Sequence, residues 1–171
     1  MKKLMLAAAI VCAAAMSQAS TVTWGLTGGT LDAVKFADAT AYLFQTTSLT
    51  RPTLTADNVD AWYKDNKGSF ASAAFRTLDV TGGAVSDTEL IDTKIGMKSY
   101  WLLVVADDEK NIALSTSTKA GNIQTGTTNV GLTWTAGTQT STFTLASVPE
   151  PTSALLMLIG VAGLALKRRR A

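Results

Sequence analysis

"SYWLLVVAD", Ser99 to Asp107, contains six consecutive apolar residues from Tyr100 to Val105. Four of the six, Tyr100, Trp101, Val104 and Val105, are aromatic or β-branched, the types that suit a pleated surface. A strand with one wet face alternates apolar and polar residues. An unbroken apolar run of this length therefore predicts a strand buried on both faces, and hence a central one. Asp107-Asp108-Glu109-Lys110-Asn111 interrupts the run, and Ile112 and Leu114 resume it with alternation. That pattern predicts a hairpin with a loop of four or five residues.

Outward from this centre the texture stays β. Short apolar segments stand between Gly, Asn and Asp turns: "TVTWGL" (21–26), "AYLFQT" (41–46), "FRTLDV" (75–80), "TELIDTK" (88–94), "NIALSTST" (111–118), "GLTWTA" (131–136) and "STFTLAS" (141–147). One helix interrupts them. Thr55 is placed to cap "ADNVDAWYKDNK", with Asp57 in the first turn, Lys64 and Lys67 near the end and Gly68 as terminator. Val59, Trp62 and Tyr63 form its apolar stripe, which makes Trp62 a core residue rather than a ligand platform. The expected fold is mainly β: an antiparallel β-sandwich, jelly-roll-like in one version, with this one short helix packed against it. Its core should include Leu43, Trp62, Trp101, Leu102, Val104, Ile112, Leu114 and Phe143.

The two ends read as targeting segments. Lys2 and Lys3 precede an uncharged apolar stretch from Leu4 to Met16, and small residues follow at Ser17 and Ala19. These are the three parts of a secretory signal, with cleavage expected between Ala19 and Ser20 by signal peptidase. Near the other end an uncharged run comprises Ala154, Leu155, Leu156, Met157, Leu158, Ile159, Gly160, Val161, Ala162, Gly163, Leu164, Ala165 and Leu166. At about 1.5 Å per residue it makes a helix of roughly 20 Å, against a hydrocarbon core of about 30 Å. Thr152 and Ser153 at its start and snorkelling basic side chains at its end make a marginal span feasible. Lys167, Arg168, Arg169 and Arg170 form a basic stop that should stay cytoplasmic. Ahead of the run, each proline of Val148-Pro149-Glu150-Pro151 biases its predecessor towards extended backbone, so "VPEP" is a stiff handle beside the anchor.

That order of handle, apolar helix and arginine cluster closely resembles the PEP-CTERM sorting signal of Gram-negative bacteria. The LPxTG-type motif of sortase tails, which share the layout, is missing. The resemblance covers only about the last 24 residues, and it implies recognition by an exosortase, a membrane-embedded protease-like enzyme that cleaves near Pro-Glu-Pro. It further implies transient anchoring in the inner membrane, then the cell surface or exterior, and an association with exopolysaccharide. The expected organisation is a signal peptide at 1–19, an exported β-rich domain at 20–147 and a sorting signal at 148–171.

Composition bounds what that domain does. The whole chain carries a net charge of +2, but between Ser20 and Pro149 nine Lys and Arg face twelve Asp and Glu, near −3. An acidic domain with scattered positives argues against nucleic acid as a partner. Cys12, the single cysteine, falls in the leader, and the chain has no histidine. The domain therefore has no disulfides, no Ser-His or Cys-His nucleophile and no Cys/His metal site, and no cofactor is expected. Asp107 to Glu109 offers at most weak calcium binding, because it lacks the spacing of a dedicated loop. Carboxylate pairs for glycoside hydrolysis would come from Asp57, Asp60, Asp107 or Glu109.

Three functional classes remain open on this reading. The favoured one is a non-enzymatic surface or matrix protein. The alternative is a carbohydrate-binding module that stacks sugars on exposed Trp24 or Trp134, with Trp101 kept in the core. A small hydrolase is the least favoured, for want of a histidine or a conspicuous acid pair.

Overall fold

The computed structural model describes residues 20–91, 96–123 and 129–146. Nine strands lie among them, in chain order: β1 Ser20–Thr27, β2 Asp38–Gln45, β3 Arg76–Thr81, β4 Ser86–Ile91, β5 Gly96–Ala106, β6 Asn111–Ser115, β7 Lys119–Ile123, β8 Asn129–Thr135 and β9 Thr140–Thr144. Between β2 and β3 runs a helical segment: α1 Val59–Asn66, a 3-10 turn Lys67–Ser69, and α2 Phe70–Ala73. The strands form two sheets, one ordered β4-β1-β8 and one ordered β3-β2-β5-β6-β9, with β7 also paired to β5.

β5 is central and buried on both faces, as its run predicts. Tyr100, Leu102, Val104 and Ala106 point into one buried cluster, shared with Val22, Trp24 and Leu26 of β1 and Leu132 and Trp134 of β8. Trp101, Leu103 and Val105 point the other way, into a cluster with Val59, Tyr63 and Phe70 of the helical segment. The period of two along a strand sorts these side chains between two cores. The molecule thus has three layers: the small sheet, the large sheet and the helical segment. Phe44 stacks on Trp101 at 4.5 Å, and the Trp101 indole N–H donates to the Leu49 carbonyl at 2.8 Å. Each such side chain contributes roughly 1.5–3 kcal/mol by leaving water.

The hairpin is also as expected, with Asp107 to Lys110 as a four-residue loop between β5 and β6. Beyond it the single strand expected over 111–118 is divided. β6 ends at Ser115, and the chain pairs with β5 again only from Lys119, through β7. At the break the buried Ser115 hydroxyl accepts the Leu102 N–H at 3.0 Å, filling a gap in the ladder. β7 itself was not legible. Its sequence, "KAGNI", carries Lys, Gly and Asn, which strands disfavour.

Three further expectations are corrected. The arrangement is not wholly antiparallel, because β1 and β8 pair in parallel, Trp24 opposite Leu132 and Leu26 opposite Trp134. Apolar alternation fixes which face is buried but reads the same in either direction. The helix does not begin under a Thr55 cap. Thr55 offers its backbone carbonyl to the Val59 N–H at 3.1 Å, while the Asn58 side chain turns back to accept the Thr55 N–H at 2.8 Å. Nor does Gly68 end it. The Ser69 hydroxyl bonds to the Asn66 carbonyl at 2.8 Å, and the turn runs on to Ala73. The expected core is buried at Leu43, Trp101, Leu102, Val104, Ile112 and Leu114, while Trp62 and Phe143 are half-buried against the second cluster.

Gly25 interrupts β1 where β1 meets the chain entering β4. Its φ is +131°, and a Cβ there would sit 2.2 Å from the Val85 carbonyl oxygen. That carbonyl accepts the Leu26 N–H at 2.7 Å, so it cannot move freely. Gly25→Ala should therefore cost at least about 2 kcal/mol. Gly131→Ala on β8, where a Cβ meets nothing within 4 Å, should stay within about 0.5 kcal/mol of the parent. Urea unfolding of the two variants checks the contrast.

Candidate functional site

A depression of about 380 Å³ opens where the helical segment meets the β5–β6 hairpin. β2 supplies Thr40 and Tyr42, the helical segment Tyr63, Lys67 and Phe70, and the hairpin loop Asp107 and Glu109. The loop is held locally. The Glu109 N–H donates to the Ala106 carbonyl at 2.9 Å, and the Lys110 N–H to Asp108 Oδ1 at 3.0 Å. That backbone bond holds the Asp108 carboxyl below its usual range. Glu109 closes the turn in left-handed backbone, with φ of 54°.

Every acid of the loop has a local partner. Asp107 accepts the Thr40 hydroxyl at 3.4 Å, Asp108 faces the Lys110 ammonium at 3.2 Å, and Glu109 pairs with Lys67 at 2.6 Å. The Lys67 and Glu109 side chains are 46% and 52% exposed, so water screens the pair, which contributes on the order of 0.5 kcal/mol. Lys67 also lies 5.7 Å from the centre of the Tyr63 ring. Burial, with smaller contributions from Glu109 and Tyr42, pushes the Tyr63 phenol up to about 12. The groove thus presents a neutral phenol, one carboxylate paired with Lys67 and one that accepts the Thr40 hydroxyl.

Two of the four candidate hydrolytic acids come together. Asp107 and Glu109 line the groove, but Asp57 and Asp60 do not. Asp60 accepts the Ala146 N–H at 2.8 Å. Among the described residues, no group of three His, Cys, Asp or Glu side chains is placed to hold a metal ion. The tryptophan platform is corrected outright: Trp24 is 1% exposed and Trp134 0%, both in the core between the sheets. The Trp134 indole donates to the Ser117 carbonyl at 2.8 Å. Their alternation with Thr and Gly places them on the inner face, and neither can stack a sugar.

The end of the domain is fastened at the same end of the hairpin. The Leu145 N–H donates to the Lys110 carbonyl at 2.7 Å, the Leu145 side chain is buried in the second cluster, and Asp60 takes the next N–H. This role of Asp60 is invisible in sequence, because the partners are 86 residues apart. Val148 to Pro151, the anchor 154–166, the basic stop 167–170 and Ala19 lie outside the described residues, whereas Ser20 opens β1. Among the described residues no helix is long and apolar enough to cross a membrane.

The structure thus defines a β-rich domain in which Leu145 and Ala146, after β9, are bonded to Lys110 and Asp60. The family model of the PEP-CTERM protein-sorting motif matches residues 147–171. That motif implies export with exosortase sorting across the membrane of a Gram-negative bacterium. No curated protein and no solved structure matches the chain.

The buried phenol sets an alkaline limit. Unfolded Tyr63 ionises near pH 10, whereas folded Tyr63 holds its proton to about 12. The folded state therefore binds more protons between these values, and stability should fall as pH rises through that window. Tyr63→Phe should make the fall shallower without removing it, since burial also raises Tyr100. Urea midpoints at pH 8, 10 and 11 test this. Micromolar calcium should leave the thermal midpoint unchanged, because the loop acids are already partnered.

Proposed function

We propose that the chain is a non-enzymatic structural protein of the cell surface or extracellular matrix, delivered by exosortase. Signal peptidase removes 1–19, and the run 154–166 then holds the domain briefly in the inner membrane, with Lys167 to Arg170 on the cytoplasmic side. Exosortase cuts near Glu150 and leaves an acidic β-sandwich domain outside, where exopolysaccharide is its candidate partner. One observation carries the reading: the sorting motif matches residues 147–171, directly after Ala146, whose N–H is bonded to Asp60 of the domain. The non-enzymatic part is supported by the want of His and Cys in the domain and by the partnered groove carboxylates.

A marginal span suits a transient anchor, because a helix shorter than the hydrocarbon core is held less firmly than a matched one. Replacing both Pro149 and Pro151 by Ala removes the bias of Val148 and Glu150 towards extended backbone. The double variant should accumulate unprocessed in the membrane fraction while export continues, as read by fractionation and by protease access to the domain from outside. Cutting at the parent rate would make the tail an ordinary C-terminal anchor. Mass spectrometry of the mature protein from its own envelope should find Ser20 at one end and a residue close to Glu150 at the other.

A further inference from the structure

We infer that Asp60 is a positioning residue for processing: with Leu145 it forms a clamp that withholds the chain through Ala146 from a protease. The inference rests on the exosortase reading above and adds a boundary to it.

Proteases take their substrates as extended strands and need free backbone N–H and C=O groups around the bond they cut. At the end of this domain the N–H groups are committed. β9 is paired to β6 through Thr144, opposite Asn111. The next two N–H groups are also taken, Leu145 by the Lys110 carbonyl at 2.7 Å and Ala146 by Asp60 Oδ1 at 2.8 Å. The Leu145 side chain, 6% exposed, is buried with Val59 and Tyr63 of α1. Asp60 lies in the first turn of α1, next to Val59, so the helix that fills the second core also holds the exit. Backbone up to Ala146 is thereby withheld from a protease, and the sorting motif begins one residue later. Ser147 is the single residue between the clamp and the "VPEP" handle. At about 3.3 Å per extended residue, cutting near Glu150 takes place within roughly 15 Å of the domain. The clamp keeps that cut from moving upstream into β9.

The test uses three full-length chains, each with its own leader and tail: the parent, Asp60→Ala and Asp60→Asn. The Asn oxygen still accepts the Ala146 N–H, so Asp60→Asn should behave as the parent, which separates hydrogen bonding from charge. In detergent solution, elastase should cut between Thr144 and Ser147 about five- to tenfold faster in Asp60→Ala, as expected for losing one hydrogen bond. In the exporting cell, the parent and Asp60→Asn should each give one mature C-terminus at or beyond Ser147. Asp60→Ala should add ragged ends at Leu145 and Ala146. Equal elastase rates in all three chains, or Ala146 amide exchange in the parent at the unfolded-chain rate, would overturn the clamp. The exchange measurement needs no variant and so decides the case even if Asp60→Ala fails to fold. A faster elastase cut with an unchanged mature end in the cell would overturn the boundary role. Retention of an intact tail in every chain would overturn the exosortase reading instead, leaving elastase and amide exchange to decide the clamp.

Discussion

Two-sided burial of β5 is the constraint on which the rest of the molecule depends. Six apolar side chains in a row cannot all face one core, because successive residues of a strand point to opposite faces. The chain must therefore supply cover on both sides of the sheet. β1 and β8 cover one side with Val22, Trp24, Leu132 and Trp134, and the helical segment covers the other with Val59, Tyr63 and Phe70. The two covers come from distant parts of the sequence and meet through the large sheet, where β2, β5 and β6 face both clusters. Arg76 of β3, paired with Glu89 of β4, adds a tie between the two sheets at their edge.

What was legible in the sequence follows from this. A run such as Tyr100 to Val105 is an unambiguous signal because burial on both faces leaves no polar position to dilute it. The hairpin was legible for a similar reason, since four polar residues between two apolar strands admit few connections. The parallel pairing of β1 with β8 left no trace, because direction is decided by long-range packing and not by the pattern of either strand. β7 was hidden because its role is to continue the ladder of β5, and backbone bonds suffice for that. Gly121 in its middle is tolerated because the Leu132, Val130 and Tyr100 side chains fill the space where a Cβ would stand.

The site divides in the same way. The sorting motif was legible because its residues are contiguous in the chain, with no distant partner needed to complete the pattern. Trp24 and Trp134 were open to misreading as a sugar platform because composition alone gives an aromatic residue two uses. Flanking residues could have decided it: Val22 and Leu26 share the face of Trp24, and Leu132 that of Trp134, which marks an inward row. Asp60 is the opposite case. As a carboxylate near a helix start it reads as a favourable dipole contact. Its bond to Ala146 depends on β9 ending beside α1, which only the assembled layers bring about.

The two ends of the domain then impose different orders of events on processing. Ser20 is buried at the start of β1 and pairs with Ile91, so a cut between Ala19 and Ser20 falls directly against a strand that is complete only in the folded sheet. A peptidase that needs extended, accessible chain around that bond must act before β1 is taken up. β1 in turn waits for β8, more than a hundred residues further on, and such distant pairing is slow to form. At the other end β9 closes on β6, and Leu145 and Ala146 are bonded to Lys110 and Asp60. On the proposed route, leader removal therefore acts before β1 is paired. On the same route the clamp at Asp60 acts on the folded domain, where a finished β9 needs an end that the processing enzyme does not pass.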